Sequence, residues 1–366
     1  MPRLDGNLHF SWGIKPLPPF FRAGAKARAG HLIATMRNRR PLAFCLGFLG
    51  LSLTSSVHAA AVTLTKLADR VRVEIDGKLF TEYVYGDGAS RPYCYPVLAA
   101  DGTSLTRDFP IKDTPGEETD HPHHRALMFA HGDANGIDFW NEGKAGGPLP
   151  KGRTVSLGMV DTTSGEVGEL HTGNRWLSPD GKAIASDDTT IRFHADRHGR
   201  YLDYEVIIRA RLDTPLIMGD SKEGTMSIRL APWMPLPHKY KGQLVPGTGH
   251  LLTSTGVRDA QVWGQRADWC DYYAPHNGKT YGVAIFDHPE NLRHPTWWMA
   301  RDYGLFNANP FGQSEFEPEK KLPKNAGAYT IPAGSGLRLR YRFYFHEGDP
   351  EAAKVAERYA EYASGH

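Results

Sequence analysis

The sequence is poor in cysteine. Three cysteines occur in 366 residues, too few for a disulfide framework, and Cys94 and Cys270 are too far apart in the chain to form a zinc motif. Cys45 falls in a segment that we expect to be removed from the mature protein. For the remaining pair, one disulfide and two separate thiols are both compatible with the sequence.

The chain also lacks an excess of charge of either sign. Its 43 Lys and Arg residues nearly balance 41 Asp and Glu residues, and the formal net charge is +2. A surface that binds nucleic acid needs a basic excess. We therefore expect no nucleic-acid partner, and instead a small-molecule or oligosaccharide substrate.

Long hydrophobic runs are missing as well. The longest, residues 42–53, has about 12 residues, where a membrane span needs roughly 20. It follows the basic residues Arg37, Arg39 and Arg40 and precedes small residues that end at Ala59. This order is typical of a secretory signal peptide.

The N-terminal pattern predicts how the chain is divided. We expect a non-structural extension over residues 1–35, a signal peptide over residues 36–59 with cleavage after Ala59, and a single domain over residues 60–366. The mature protein is then expected to be periplasmic or secreted, with no membrane span after removal of the signal.

Glycine, proline and aromatic residues are abundant: 39 Gly, 26 Pro, 8 Trp, 16 Tyr and 16 Phe. Such a composition favours short strands joined by turns over a helix bundle. Alternating apolar and polar residues predict strands over 62–67 and 71–75, with a hairpin turn at Asp76-Gly77. The same alternation predicts further strands over residues 189–195, 202–210, 226–230, 281–286 and 337–345.

These elements predict an all-β fold, a large two-sheet antiparallel β-sandwich. Asp349, Pro350 and Glu351 form a helix start signal. A short C-terminal helix over residues 352–362 is therefore expected to pack on a sheet. Residues 141–152 and 316–328 are expected to be long loops.

Titratable side chains are most concentrated in residues 120–125, which contain Asp120, His121, His123, His124 and Arg125. Further polar residues follow this segment. Imidazole changes charge near neutral pH, so acid/base catalysis, with Asp120 as the orienting group, is one interpretation. In an extended segment His121 and His123 share a face and could hold a metal together with a third ligand. A braced loop, with Asp120 paired to Arg125, is the structural alternative.

Three other segments combine charge with glycine or aromatic residues. Residues 219–224 present Asp220, Lys222 and Glu223, either on a solvated hairpin tip or on an active-site loop. Aromatic rings with polar neighbours in residues 262–273 and 294–312 suit stacking on sugars as well as packing in a core.

These segments, in this order, resemble the PmoA-like family of exported bacterial proteins, whose automatic name is methane oxygenase PmoA. The residues that carry the resemblance are 120–125, 131–136, 219–224, 263–267, 303–306 and 309–312.

The resemblance implies a β-sandwich similar to galactose mutarotase-like super-sandwich proteins, which act on or bind carbohydrates. Relatives commonly carry histidine at the position of Met299, so one polar group of the site is missing here. A methane monooxygenase subunit of that name is an integral membrane protein, and the lack of a span after the signal argues against methane chemistry.

We therefore predict a periplasmic carbohydrate-active hydrolase, lyase or epimerase that uses histidine acid/base chemistry. The alternatives are a metal-dependent enzyme with a His121-x-His123 site, which would need a divalent cation, and a non-catalytic sugar-binding protein. The expected catalytic residues are Asp120, His121, His123, His124, Lys222 and Glu223. The expected substrate-binding residues are Arg125, His131, Asp133, Asn135, Asp220, Trp263, Arg266, Arg301 and Asn309.

Overall fold

The structure is a computed structural model that describes residues 60–86, 88–143 and 147–365. The expected extension, signal peptide and cleavage after Ala59 lie outside the described residues. No helix in the described part of the chain is both long and apolar enough to cross a membrane.

The described residues form twenty strands and two α-helices, α1 (Gln313–Phe316) and α2 (Val355–Ala363). The strands are β1 (Val62–Lys66), β2 (Arg70–Ile75), β3 (Lys78–Val84), β4 (Tyr93–Cys94), β5 (Leu127–His131), β6 (Arg153–Thr163), β7 (Gly168–Leu177), β8 (Ala183–Ala195), β9 (Gly199–Ala210), β10 (Leu216–Met218), β11 (Gly224–Arg229), β12 (His238–Tyr240), β13 (Gln243–Val245), β14 (His250–Thr253), β15 (Trp269–His276), β16 (Lys279–Asp287), β17 (Trp297–Ala300), β18 (Leu305–Asn309), β19 (Tyr329–Ile331) and β20 (Gly336–Glu347).

Sixteen of these strands form two large antiparallel sheets of eight strands each. The first sheet has the order β1-β2-β3-β4-β5-β11-β18-β17, and the second has the order β14-β15-β16-β20-β9-β8-β7-β6. Two small ribbons pair β10 with β19 and β12 with β13. The predicted all-β, two-sheet antiparallel sandwich is confirmed.

The main core lies between the two sheets and follows a period of two along the strands. On β20, Leu337, Leu339, Tyr341, Phe343 and Phe345 are all buried and belong to one apolar cluster, as the alternation predicts. Residues from the first sheet join the same cluster, including alternate positions of β11 and β18. Each sheet therefore contributes one apolar face to the core.

The predicted strands agree with those of the structure, apart from their ends. The hairpin turn is also present, since Asp76 and Gly77 have φ values of 51° and 70°, the left-handed pair that a two-residue turn of this kind requires. Several strands, β6 and β7 among them, were not predicted. Strand β6 is an edge strand, largely exposed, and its register with β7 shifts between Ser156 and Val160.

The C-terminal helix begins later than the sequence predicts. The side chain of Asp349 accepts a hydrogen bond from Ala352 N at 2.9 Å, but this caps a turn, and α2 itself begins at Val355 after Lys354, which has a positive φ of 56°. Val355 and Tyr362 pack with Phe286 on the outer face of the second sheet. The expected packing of this helix on a sheet is thus present.

Cys94 and Cys270 are both buried free thiols. Cys94 lies in β4 of the first sheet and Cys270 in β15 of the second. Of the two arrangements compatible with the sequence, the structure contains the separate thiols.

A second apolar cluster covers the outer face of the first sheet, the side turned away from the main core. Met128 and Ala130 on β5, Met299 on β17 and Leu305 on β18 belong to it, while their neighbours along each strand belong to the main core. The second sheet therefore covers the inner face of this sheet's central strands and loops cover the outer face, where the candidate site lies.

Candidate active site

An open cleft of about 640 Å³ lies above this outer cluster, with Met299 among its lining residues. It draws its polar lining from chain segments that are distant in sequence. The charged, aromatic and amide side chains that line it are His121, His123, His124, Asp138, Asn141, Lys222, Glu223, Arg301, Tyr303 and Glu315.

The histidine segment forms a turn, not the extended stretch in which His121 and His123 would share a face. His124 N donates to the carbonyl of His121 at 3.0 Å, and His121 has a positive φ of 45°. The turn brings all three rings together: the His121 and His124 rings stack at 4.7 Å between centroids, and the His123 and His124 rings meet edge to face at 4.4 Å. The extended geometry considered for this segment is wrong, because residues 121–124 form a turn that contains Pro122.

Asp120 contacts Nδ1 of His121 and is itself held by two buried arginines. Arg107 Nη1 lies 2.6 Å and Arg229 Nη2 lies 3.3 Å from the same carboxylate oxygen, Oδ1. Burial acts to raise the pKa of Asp120, but the hydrogen bond with His121 and the charges of Arg229 and Arg107 outweigh it and hold that pKa well below its usual value. Asp120 is therefore an ionised carboxylate that orients the His121 ring.

The structural alternative paired Asp120 with Arg125, and the structure contradicts it. Arg125 binds Glu142 instead, with Nε 3.0 Å from Oε1 and Nη2 3.1 Å from Oε2. Its guanidinium also lies over the ring of Tyr93 at 5.5 Å. Arg125 does not line the cleft, so its position does not support the substrate contact that the sequence suggested.

His123 and His124 are buried against Trp140 and have Nδ1 atoms without a hydrogen-bond partner. Burial lowers the pKa of His123 to about 3, with a further contribution from the nearby Arg91 charge. Burial, followed by the charge of His123, also places the pKa of His124 well below its usual value. Both rings are therefore neutral at physiological pH and available as hydrogen-bonding groups.

The loop over residues 219–224 packs over the site, and it is not a solvated hairpin tip. Ser221, Lys222 and Glu223 line the cleft. Asn309 Nδ2 donates to the carbonyls of Ser221 at 2.9 Å and Lys222 at 3.0 Å, which fixes the loop to β18. Burial raises the pKa of Glu223 in spite of the opposing charges of Lys222 and Arg301.

Arg301 and Tyr303 close the cleft on the side of β17 and β18. The guanidinium carbon of Arg301 lies 4.6 Å from the ring of Trp263 and 5.5 Å from the ring of Tyr303. Tyr303 stacks on His121 with 5.3 Å between ring centroids. Burial raises the pKa of Tyr303, although the charges of Arg301 and Arg229 act in the opposite direction.

Three of the predicted substrate-binding residues lie behind this surface. The ring of His131 is fully buried against Phe311, Nε2 lies 3.0 Å from the carbonyl of Gly219, and burial lowers its pKa to about 4. Asp133 accepts a hydrogen bond from Gly136 N at 2.9 Å inside a turn. Asn135 bridges backbone groups of Pro215 and Ile217. These contacts are structural, and none of the three residues lines the cleft.

Four more predicted residues support the site without lining it. The Asp220 carboxylate accepts hydrogen bonds from the backbone N–H groups of Ser314 and Gly327. Arg266 donates to backbone carbonyls and lies over Trp297 at 4.6 Å. Trp263 supports Arg301 from behind, and Asn309 anchors the 219–224 loop.

Sequence reasoning missed several residues that shape the site. Tyr303 lies in the turn between β17 and β18 and lines the cleft with Arg301, and its place among residues 303–306, which carry the family resemblance, could have singled it out. Arg107 and Arg229 could not be found in this way, because only the folded chain brings them to Asp120. Asp138 was considered from the sequence only as one possible third metal ligand; it lines the cleft, and its carboxylate accepts a hydrogen bond from Lys151 Nζ at 2.8 Å.

The His121-x-His123 pair does not belong to a metal-ligand cluster in the described residues. The two rings lie 5.6 Å apart between centroids. No group of three His, Cys, Asp or Glu side chains in residues 60–86, 88–143 and 147–365 is arranged to hold a metal ion.

Comparisons with known proteins identify a family and distant structural likenesses. Solved structures similar to this chain include a galactose mutarotase-like protein from Lactobacillus casei ATCC 334, with 7% identity, 78% of this chain and 100% of that chain covered, and a TM-score of 0.34. Another is a proposed aldose 1-epimerase from Escherichia coli K12, with 10% identity, 78% and 99% coverage, and a TM-score of 0.32.

A third similar structure is a proposed kojibiose phosphorylase from the human microbiome, with 7% identity and a TM-score of 0.31. The match covers 78% of this chain but only 32% of that protein's length. At TM-scores of 0.34 or less, these likenesses carry no argument about function, and the sandwich architecture rests on the strand pairing of this chain.

No curated protein matches the chain. The PmoA-like resemblance stays a prediction, because the family model that matches is a different one, described as a family of unknown function, DUF6807. That match extends over residues 70–360 and includes both large sheets almost entirely. The chain therefore belongs to the DUF6807 family.

Proposed function

We propose that this protein is a carbohydrate-active enzyme in which His121 acts as a general base, oriented by Asp120. The observation that carries the proposal is the Asp120–His121 contact at the wall of an open polar cleft. Because Asp120 is ionised and engages Nδ1, the proton of the neutral ring lies on Nδ1 and the lone pair on Nε2. The His121 side chain is 40% exposed, so this lone pair is accessible to a substrate.

Glu223 and Tyr303 are suited to supply the proton that the reaction needs. The pKa values of both groups are raised by burial, which favours the protonated forms. The electrostatic environment of Glu223 includes Arg301 and His121, so it lies near the proposed base. A base with an accessible lone pair and a second group that keeps its proton are the pair that acid/base catalysis requires.

The remaining polar groups are suited to bind a hydroxyl-rich molecule. The neutral rings of His123 and His124, together with Lys222, Asn141 and Ser221, offer donors and acceptors around one cavity. A volume of about 640 Å³ is in the usual range for small-molecule sites, which is roughly 300–1,000 Å³. These features favour a sugar over an apolar substrate.

The reaction belongs to one of three classes, hydrolysis, elimination or epimerisation of a sugar. Each moves a proton to or from oxygen or carbon, which His121 and Glu223 can perform. We also propose export to the periplasm or the exterior on the basis of residues 36–59, and kinship with the PmoA-like proteins on the basis of the segments that carry the resemblance.

The test is turnover of a panel of glycosides, uronides and oxidised sugars by the parent protein and by His121→Ala. We expect turnover of at least one class, reduced about 10²–10⁴-fold by the substitution. His171→Ala, an exposed histidine on β7 of the other sheet, is the matched control and should retain full activity. Sugar binding without conversion across the panel would overturn the proposal in favour of a binding protein.

A further inference from the structure

In the described structure, most of the charges that line the cleft are paired, and two of them, Arg301 and Glu223, are not. Asp138 is held by Lys151 at 2.8 Å, and Lys222 lies 3.1 Å from Glu315. Among the residues that the structure describes, no carboxylate oxygen lies within 4.0 Å of Arg301, and Glu223 forms no ion pair. Burial raises the pKa of Glu223, and with that group protonated, as the proposed function requires, Arg301 is left without an anion.

The surroundings of Arg301 fix its guanidinium in place and do not neutralise it. It lies between the rings of Trp263 and Tyr303, and Trp263 meets Phe316 edge to face at 5.4 Å. Its Nε atom is buried and has no hydrogen-bond partner. A planar guanidinium stacked on aromatic rings keeps its edge available for a bidentate acceptor, and carboxylate is the acceptor that matches this fork.

The wall behind the histidine turn adds positive charge. Arg91 and Arg125 share the single carboxylate of Glu142, with Arg91 Nη1 3.0 Å and Arg125 Nε 3.0 Å from Oε1. Arg107 and Arg229 contact two carboxylates, Asp120 and Glu118, so the excess comes from Arg91 and Arg125. An anionic ligand in the cleft would be attracted by this arrangement, and a second cation would be repelled.

We infer that the substrate is an acidic sugar, a uronic acid or uronide, whose carboxylate is bound by Arg301. This inference rests on the proposed function, because it assigns the substrate class of the same cleft. It also gives the base a chemically suitable target, since a carboxylate bound to a cation makes the proton on the adjacent carbon easier to remove.

The first experiment measures binding by calorimetry, with methyl β-D-glucuronide and methyl α-D-galacturonide compared with the matching neutral methyl glycosides. We expect the parent protein to bind at least one acidic sugar at least 10-fold more tightly than its neutral counterpart. Raising the salt concentration from about 50 to about 500 mM should weaken the binding of the acidic sugar. Equal binding of the acidic and neutral sugars, or no binding of the uronides at millimolar concentration, would overturn the inference.

The second experiment repeats the measurement on variants. Arg301→Gln should lose about 10- to 100-fold in affinity for the acidic sugar, a larger loss than it shows for the neutral sugar. Arg301→Lys should lose less affinity for the acidic sugar, because it retains the positive charge and loses only the bidentate guanidinium geometry. Arg338→Gln, an exposed arginine paired with Glu205 on the other sheet, is the control, and an equal loss in this variant would contradict the assignment.

These binding measurements, taken together with the turnover panel, separate this inference from the proposed function. Uronides that bind through Arg301 but are never converted would sustain the substrate class and refute the catalytic proposal. Neutral sugars converted through His121, with no preference for uronides, would sustain catalysis and refute the substrate class.

Discussion

Arg229 Nη2 lies 3.3 Å from Oδ1 of Asp120, although the two residues are 109 positions apart in the chain. Arg229 ends strand β11, is 2% exposed, and also lies over the ring of Tyr303 at 4.6 Å. A central strand of the first sheet therefore fixes both the carboxylate that orients His121 and the aromatic ring that stacks on it.

Arg229→Gln should shift the pH dependence of catalysis. Removing this cation removes one of the charges that lower the pKa of Asp120, so the carboxylate should become protonated at a higher pH. The acid limb of kcat/KM should then move to higher pH, because the coupled Asp120–His121 pair takes up a proton more readily once a neighbouring positive charge is removed. Arg229→Lys retains the charge and should resemble the parent, and an unshifted acid limb in a folded Arg229→Gln protein would contradict the assignment.

Glu223→Gln should remove a proton donor and leave the cleft intact. Glutamine has nearly the shape of the protonated acid, but it cannot transfer the proton, so kcat should fall about 10²–10⁴-fold and the basic limb of the pH profile should flatten. Glu205→Gln, on the exposed face of the second sheet, is the control. Retention of the basic limb in Glu223→Gln would assign the proton donor to another group, Tyr303 first.

The fold could be predicted from the sequence where a strand has one buried and one exposed face. Strand β20 shows this best, since each of its alternate apolar residues from Leu337 to Phe345 lies in the core. Strand β6, at the edge of the second sheet, was not predicted, although its apolar residues Val155, Leu157 and Met159 alternate; all three are exposed. On an edge strand, apolar alternation does not imply burial in the core.

The candidate site could be predicted only as a set of segments. Residues 120–125 and 219–224 were recognisable because they concentrate titratable groups, and the structure brings His121 and Glu223 to one cleft. Which member of a segment faces the cleft depends on the turn that each segment forms. The supporting roles of His131 and Asp220 could not be predicted from local sequence, because each side chain contacts the backbone of a segment that is distant in the chain.

The buried imidazoles should make the protein less stable in mild acid. The pKa of His123 is lowered from 6.5 to about 3, so between these values the unfolded chain binds a proton that the folded chain does not. The free energy of unfolding should therefore be highest above pH 6.5 and fall as the pH decreases toward 3, by up to about 1.4 kcal/mol per pH unit for this group. His123→Gln should reduce that slope in urea unfolding, and parallel pH curves for the two proteins would refute the prediction.

Chelation should test the metal-dependent alternative. Because no three suitable side chains converge in the described residues, we expect that EDTA treatment followed by desalting leaves turnover unchanged. Metal analysis of the purified protein provides an independent measurement. Stoichiometric zinc or copper that is lost in a His121→Ala/His123→Ala double variant, together with inactivation by EDTA, would favour the metal enzyme.

Asn309→Asp should destabilise the 219–224 loop and the fold together. The Nδ2 group of Asn309 is buried and donates to two carbonyl oxygens, those of Ser221 and Lys222, while Oδ1 accepts from Phe311 N at 2.9 Å. A carboxylate would place an acceptor opposite two acceptors, so we expect a loss of about 2–4 kcal/mol in the free energy of unfolding. Asn135→Asp is the matched control, because its amide also bridges two backbone groups but is exposed, and it should cost less than about 1 kcal/mol. Equal losses in the two variants, measured by urea unfolding, would show that Asn309 does not anchor the loop that carries Lys222 and Glu223.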